Sequence, residues 1–341
     1  MKKENLLKKD SGITLIALIG IILGIILIIG IAIFTVITIN QNNTIEKIMK
    51  KNKSENKVVA ISENKNTVIY DDLGNEVTIP SGFGLALDSG TNITEGIVIE
   101  EAGIEGGGNQ FVWIPVGETK DQNGSTNLIK LGRYKSDLNK NIVNLDENKE
   151  ESKHIKELTV EEKTNEADKN ISAKDIKDFI NKVNNTGGYY IGRYEASNNN
   201  GKAEIKYDKA PWCSLTQKEA ATLSNDMYSS NENFTSDLIN SYAWDTAIMY
   251  IQTYAQNNYI DQTTLNNSIL NTGKSGDMQL KITDIASNNM EWSTETAEYK
   301  KYSTVARGGD FYNVKNSANH RLLYFEHSNY TNISFRTILY L

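Results

Sequence analysis

The sequence predicts an α+β domain behind a single long transmembrane helix, and three observations carry that expectation. The run Ile13 to Ile39, "ITLIALIGIILGIILIIGIAIFTVITI", holds 27 residues without a charge, where a helix needs roughly 20 apolar residues to span a bilayer. From Val58 the texture changes to short β-like runs separated by Gly, Asn and Asp turn signals. Interspersed with them are segments whose apolar residues recur at helical spacing.

A chain of 341 residues suffices for one large domain or two ordinary ones with real cores. Its net charge is −7, and no cationic stripe follows residue 60. Phosphate-backbone binding needs clustered Lys and Arg to release counterions, so nucleic acid is not an expected partner. The single cysteine, Cys213, cannot close an internal disulfide and reads as a buried thiol. Any metal site must therefore use oxygen or His ligands.

Lys2, Lys3, Lys8 and Lys9 precede the apolar run and the neutral "NQNNT" follows it. The positive-inside rule places the N-terminus in the cytoplasm and everything from about Asn40 outside, as a single-pass protein of the cell membrane. The run exceeds the roughly 7–15 apolar residues of a secretory signal. The leader at residues 1–12, ending "KKDSG" before "ITLIALI", resembles the N-terminus of type IV prepilins. That resemblance implies cleavage between Gly12 and Ile13, leaving a transmembrane helix at 13–39. At the fifth mature position, where pilins carry Glu, this chain has Ala17. Gly20 and Gly24 form a GxxxG through which two helices could associate. Residues 40–57 are polar and Lys/Asn-rich and read as a stalk.

Within the domain at 58–341, "NTVIYDDLGNEVTIP" has hairpin chemistry. Runs at Gly96 to Glu100 and Phe111 to Val116 flank a Gly-rich turn, read as a second hairpin. Residues 119–170 form a polar insertion carrying the charge run "DENKEESKHIKELTVEEKTNEADK", expected as a solvated surface segment. A helix is predicted over Ser172 to Asn185, capped by Ser172, with Ile176, Phe179, Ile180 and Val183 on one face. Thr216 and Glu219 make a capping box. Trp244, Ala247, Ile248, Ile251 and Ala255 outline a helix with one buried face. The alternating "ISFRTILYL" predicts one closing strand.

Read in order, "FVWIPVG", "GGYYIGRYEAS", "APWCSLTQKEA", "AWDTAIMYI", "DIASNNMEWSTE", "VARGGDFYN" and "SFRTILYL" resemble the successive blocks of the formylglycine-generating enzyme (sulfatase-modifying factor) family, over roughly residues 69–341. The resemblance implies a C-type-lectin-like α+β fold, and the same module behind a similar leader is a feature of clostridial surface proteins. Family oxidases bind copper through paired cysteines between the "RGG" and "GFR" blocks, and this chain has none there. No copper is expected and the chain is not expected to be an enzyme. Sulfoxide synthases with this module need a histidine iron site on a partner domain, whereas this chain has only His154, His320 and His327. The family's "DIASNNMEW"-like block wraps a structural Ca²⁺. Carried across, its ligands would be Asp284, the carbonyls of Ser287 and Asn289, and Glu291, hard oxygens suited to Ca²⁺. Ser287 stands where the family usually has Gly.

The stretch Arg307 to Arg336 holds five Asn and six Phe or Tyr. The resemblance makes it an exposed loop face, and Tyr, Asn and Ser are residues that adaptable binding surfaces use. The expected contacts are Asp310, Tyr312, Asn313, Asn316, Asn319, His320, Tyr324, His327, Asn329 and Tyr330. The composition is also similar to that of the variable proteins of diversity-generating retroelements. These readings converge on a membrane-anchored, surface-displayed module for an extracellular protein or glycan ligand. The alternative is a minor pilin-like structural subunit of a surface filament or secretion system.

Overall fold

The computed structural model describes residues 21–25, 45–136, 142–144, 155–157, 176–297, 304–325 and 329–341. They form a mixed α and β structure dominated by sheet. The larger sheet has six antiparallel strands in the order Thr235–Leu238, Thr337–Tyr340, Gly188–Gly192, Gln110–Pro115, Val98–Glu101 and Phe83–Leu85. Its centre reads as continuous apolar and aromatic sequence because both faces are covered: Phe111, Val112, Trp113 and Ile114 are all fully buried.

A second sheet has the order Arg321–Tyr324, Thr304–Arg307, Met290–Trp292 and Ile333–Phe335. Its last pair is parallel, with Trp292 opposite Phe335. Both predicted hairpins are present, Thr67–Tyr70 with Glu76–Ile79 and Val98–Glu101 with Gln110–Pro115. Residues 117–129 add a third, Gly117–Lys120 with Thr126–Ile129.

Among the described residues, four α-helical segments pack on this frame: α1 (residues 45–55), α2 (Ile176–Thr186), α3 (Gln217–Asp226) and α4 (Ser241–Tyr254). Helix α2 buries Ile176, Phe179 and Val183, with the Phe179 ring edge-on to Tyr189 at 5.5 Å and Tyr340 at 5.2 Å. Helix α3 starts at the expected Thr216/Glu219 capping box.

Four sequence expectations meet different outcomes. The polar stretch read as a free stalk contributes α1, which sinks Ile45, Met49 and Asn52 into the domain, and Asn52 donates to the Leu85 carbonyl. Helix α4 is buried around most of its circumference, Asp245, Thr246 and Tyr250 included, and it ends before the exposed Ala255. The closing segment is two strands, Ile333–Phe335 and Thr337–Tyr340, one in each sheet, and both faces of each are buried. The break falls at Arg336, whose side chain donates to the Glu291 carboxylate and to the Gly192 and Thr283 carbonyls. Of the membrane segment only residues 21–25 are described, as helix. Among the described residues no helix is long and apolar enough to cross a membrane. Gly12, Ile13, Gly20, the Ser172 cap, His154 and most of the charge run lie outside the described residues.

The two-residue turn joining Met278–Gln279 to Ile282–Thr283 holds Leu280 at φ 47° and Lys281 at φ 68°. Left-handed backbone costs an L-residue roughly 1 kcal/mol or more, and glycine adopts it freely. Lys281→Gly is expected to raise the calorimetric thermal midpoint by about 2 °C.

Candidate functional site

The C-terminal face is built on a buried ring of four charges. Arg307 ends the strand Thr304–Arg307 and lies directly across from Arg321 on Arg321–Tyr324. Two like charges opposite one another would push the strands apart, and two carboxylates prevent it. Asp245 on α4 receives Arg307 at 2.5 Å and Arg321 at 2.6 Å. Glu295 pairs with Arg307 and, at 3.0 Å, with Arg321. Burial alone would raise the Glu295 carboxyl, yet Arg307, Arg321 and Arg133 hold it down at about 2. Asn319 closes the ring, its Oδ1 accepting from Arg307 at 3.3 Å and Arg321 at 3.4 Å.

Above the ring, the loop 308–320 is tied down along its length. Gly309 donates to the Ile285 carbonyl, and a Cβ there would sit 2.3 Å from the Ala286 carbonyl, so only glycine allows the approach. Asp310 is buried and organises the loop from inside. Its carboxylate accepts from the Tyr312 amide at 3.3 Å, the Asn313 amide at 2.6 Å and Asn316 Nδ2 at 2.8 Å. Asn313 Oδ1 in turn accepts the Lys315 amide at 3.1 Å. Ala318 and Asn319 donate to the Gln262 and Ile260 carbonyls, and Trp244 Nε1 donates to the Ala318 carbonyl at 2.9 Å.

What this scaffold presents differs in part from the expected contact set. Asp310 and Asn316 are buried loop organisers, and Asn313, Asn319 and His320 are half-buried in the same bonding. Burial and the neighbouring Arg307 push His320 below its ordinary range. Tyr312, 60 % exposed, and Asn329 project outward. Tyr324 and Tyr330 are half-buried, with ring centroids 4.5 Å apart, and both pack on the buried Trp292. His327 lies outside the described residues. Composition reasoning missed Val314, Leu322 and Phe325, which are 65 %, 38 % and 45 % exposed. The signal was there in "NVK" and "RLLYF", apolar residues interrupting a polar stretch.

A second buried cluster occupies the block where calcium ligands were expected. Glu291 receives Arg336 through Nε at 2.9 Å and Nη2 at 2.5 Å. Arg336 also donates to the Gly192 and Thr283 carbonyls at 2.7 and 2.9 Å. Asp284 accepts from the Gly273 amide at 2.6 Å, Ser275 Oγ at 2.5 Å and Thr283 Oγ1 at 2.9 Å. Ser287 bonds Ser275 at 2.6 Å and Asn289 donates to Glu195 at 3.1 Å. In this block Glu291 holds the Arg336 guanidinium, and Asp284 accepts from three neutral donors. Among the described residues no group of three or more His, Cys, Asp or Glu is placed to hold a metal ion.

No family model matches this chain. No curated protein matches it either. Among solved structures, the Treponema denticola variable protein 1 aligns at a TM-score of 0.22 and 14 % identity, over 42 % of this chain and 53 % of that one. The chain thus spans about half the length of that protein, and a likeness at this TM-score does not establish a shared fold. The formylglycine-generating enzyme resemblance rests on the sequence blocks alone.

Two outcomes follow from one buried and one half-buried group. Asp277 is raised by burial from 3.8 to about 6, while the Ala286 amide and Tyr259 hydroxyl bond its carboxylate. A group with a raised folded pKa stabilises fully below its unfolded value and loses that contribution as pH rises through the folded value. Asp277→Asn should therefore gain stability relative to the parent chain between pH 4 and pH 7, with the change centred between 3.8 and about 6, read from urea unfolding at each pH. The Cys213 thiol is pushed up to about 12 by burial and by Glu195, so it should resist a disulfide reagent at pH 8 until the chain is unfolded.

Proposed function

We propose that this chain is a displayed binding module whose C-terminal face captures an extracellular protein or glycan ligand. The observation that carries the reading is the pairing of exposed Tyr312, Val314, Leu322 and Phe325 with a loop fixed by Asp310 and a buried ring of charges. Large side chains held on a rigid support lose little entropy on binding, which is how a small patch reaches useful affinity. The apolar N-terminal segment would anchor the module in the membrane with its C-terminal domain outside. The reading includes no catalytic step and no metal.

The formylglycine-generating enzyme resemblance and the Asn/Tyr-rich composition favour a finer version, a variable protein of a diversity-generating retroelement. Under it, variation would concentrate at outward positions such as Tyr312 and Asn329 and spare Asp310, Asn316 and Asn319, whose side chains hold the loop.

A second reading, a pilin-like structural subunit, draws support from α1. A segment that follows the apolar run in sequence packs into the globular domain through Ile45 and Met49, as the base of a filament subunit would need to. Sheared surface fractions separate the two, since an anchored receptor stays with membranes.

The direct test displays the full chain against glycan and cell-surface protein arrays beside a variant carrying Tyr312→Ala and Phe325→Ala. Binding that falls at least tenfold, as loss of an aromatic anchor produces, with an unchanged thermal midpoint, is expected. Binding retained at full strength, or none by the parent chain, overturns the reading.

A further inference from the structure

A cleft of about 510 Å³ is lined by none of the C-terminal residues, and its size falls within the range of small-ligand sites. Its walls are the Gly-rich turn after Val98–Glu101, the hairpin of Ser197–Asn199 with Lys202–Glu204, and the C-terminal half of α3. The turn is the triple-glycine stretch that lacks the Lys-Ser/Thr of a phosphate loop. The structure gives it a different use. A Cβ on Gly108 would lie 2.3 Å from the Glu101 carbonyl, so glycine is what lets this turn fold close over the strand end and form a wall.

The chemistry inside is specific. The floor is apolar, from Ile104, which is 46 % exposed, and the half-buried Leu223 and Met227. Glu101 is held rigidly, its Oε2 accepting from Asn109 Nδ2 at 3.0 Å and Tyr228 Oη at 3.3 Å. Asn109 also donates to Tyr228 at 3.0 Å, so the three side chains fix one another. Among the described residues Oε1 of Glu101 takes no hydrogen bond, and it belongs to a cleft-lining side chain. Glu204 and Lys206 pair at 3.5 Å, which leaves Glu101 and Asp226 facing one cation, Lys202. The cleft therefore has an apolar floor, a pre-positioned carboxylate and an excess of negative charge.

We propose that this cleft binds an alkylammonium group carried on an apolar stem, with Glu101 accepting the ammonium and Ile104, Leu223 and Met227 covering the stem. Such a group comes either from a lysine side chain of a protein or from a free aliphatic amine, and the site chemistry is the same for both. The site is independent of the C-terminal face, so the two stand or fall separately.

The test is a calorimetric titration of the full chain in detergent micelles with 1,5-diaminopentane and with Nα-acetyl-lysine amide. The Nε-acetylated lysine derivative and hexanoate serve as neutral and anionic comparisons. Both amines should bind and both comparisons should not. A preference for the lysine derivative would assign the site to a protein side chain, and a preference for the diamine to a free amine. Glu101→Gln, which keeps the shape that Asn109 and Tyr228 hold, should weaken binding roughly ten- to a hundredfold, the usual loss of a hydrogen bond to a charged group. Ile104→Ser, at a position 46 % exposed, should weaken it about threefold or more with an unchanged thermal midpoint. Absence of heat from both amines at about 10 mM, equal binding of hexanoate, or unchanged affinity in Ile104→Ser and Glu101→Gln overturns the proposal.

Discussion

The pairing of Arg336 with Glu291 is the constraint on which the architecture depends. Arg336 sits at the single residue where the chain leaves the smaller sheet and enters the larger one. Its guanidinium donates to Glu291 in one sheet, to the Gly192 carbonyl in the other, and to the Thr283 carbonyl of the short strand Ile282–Thr283. A buried charge is tolerated only when its donors are satisfied, and here that satisfaction requires three separate segments to meet at one point. The backbone on either side of Arg336 then has little choice of direction, which is why neighbouring strands diverge into different sheets.

The second guanidinium system uses the same physics for another end. Arg307 and Arg321 are neighbours across a strand pair, and Asp245 and Glu295 each bridge both. Helix α4 is thereby locked to the C-terminal sheet by ions rather than by shape alone. Replacing such a ring by apolar residues is often tolerated energetically, whereas removing one member leaves a buried charge uncompensated. A ring of fixed directional bonds defines one orientation of the loop above it, and a surface that presents Tyr312 and Phe325 gains from that fixity.

Much of the local structure was legible. The Asp-Leu-Gly-Asn turn, the Thr216/Glu219 capping box and the apolar face of α2 each follow from interactions among residues close in sequence, and each is present. The candidate site was legible only as a region. Asp310 and Asn316 have the residue types of ligand contacts, yet their polar atoms are consumed by the loop's own amides. The apolar residues that do project, Val314 and Leu322, have the residue types of a core. Residue type records what a side chain is able to bond, and only the fold decides whether that capacity is spent inward.

By itself the sequence determined the mixed α and β character, the hairpins, the start of α3, the long apolar N-terminal run and the stretch in which the exposed face lies. All of these depend on periods of two or 3.6 residues and on turn chemistry spanning a few positions. The tertiary structure alone decided that Glu291 holds an arginine, that the closing segment divides at Arg336, and that Glu101 lines a cleft. Those outcomes turn on partners separated by 45 residues for Glu291 and Arg336 and by 127 for Glu101 and Tyr228. Charge pairing at such separations has no sequence period, because it is fixed by where the packed sheets bring the side chains together.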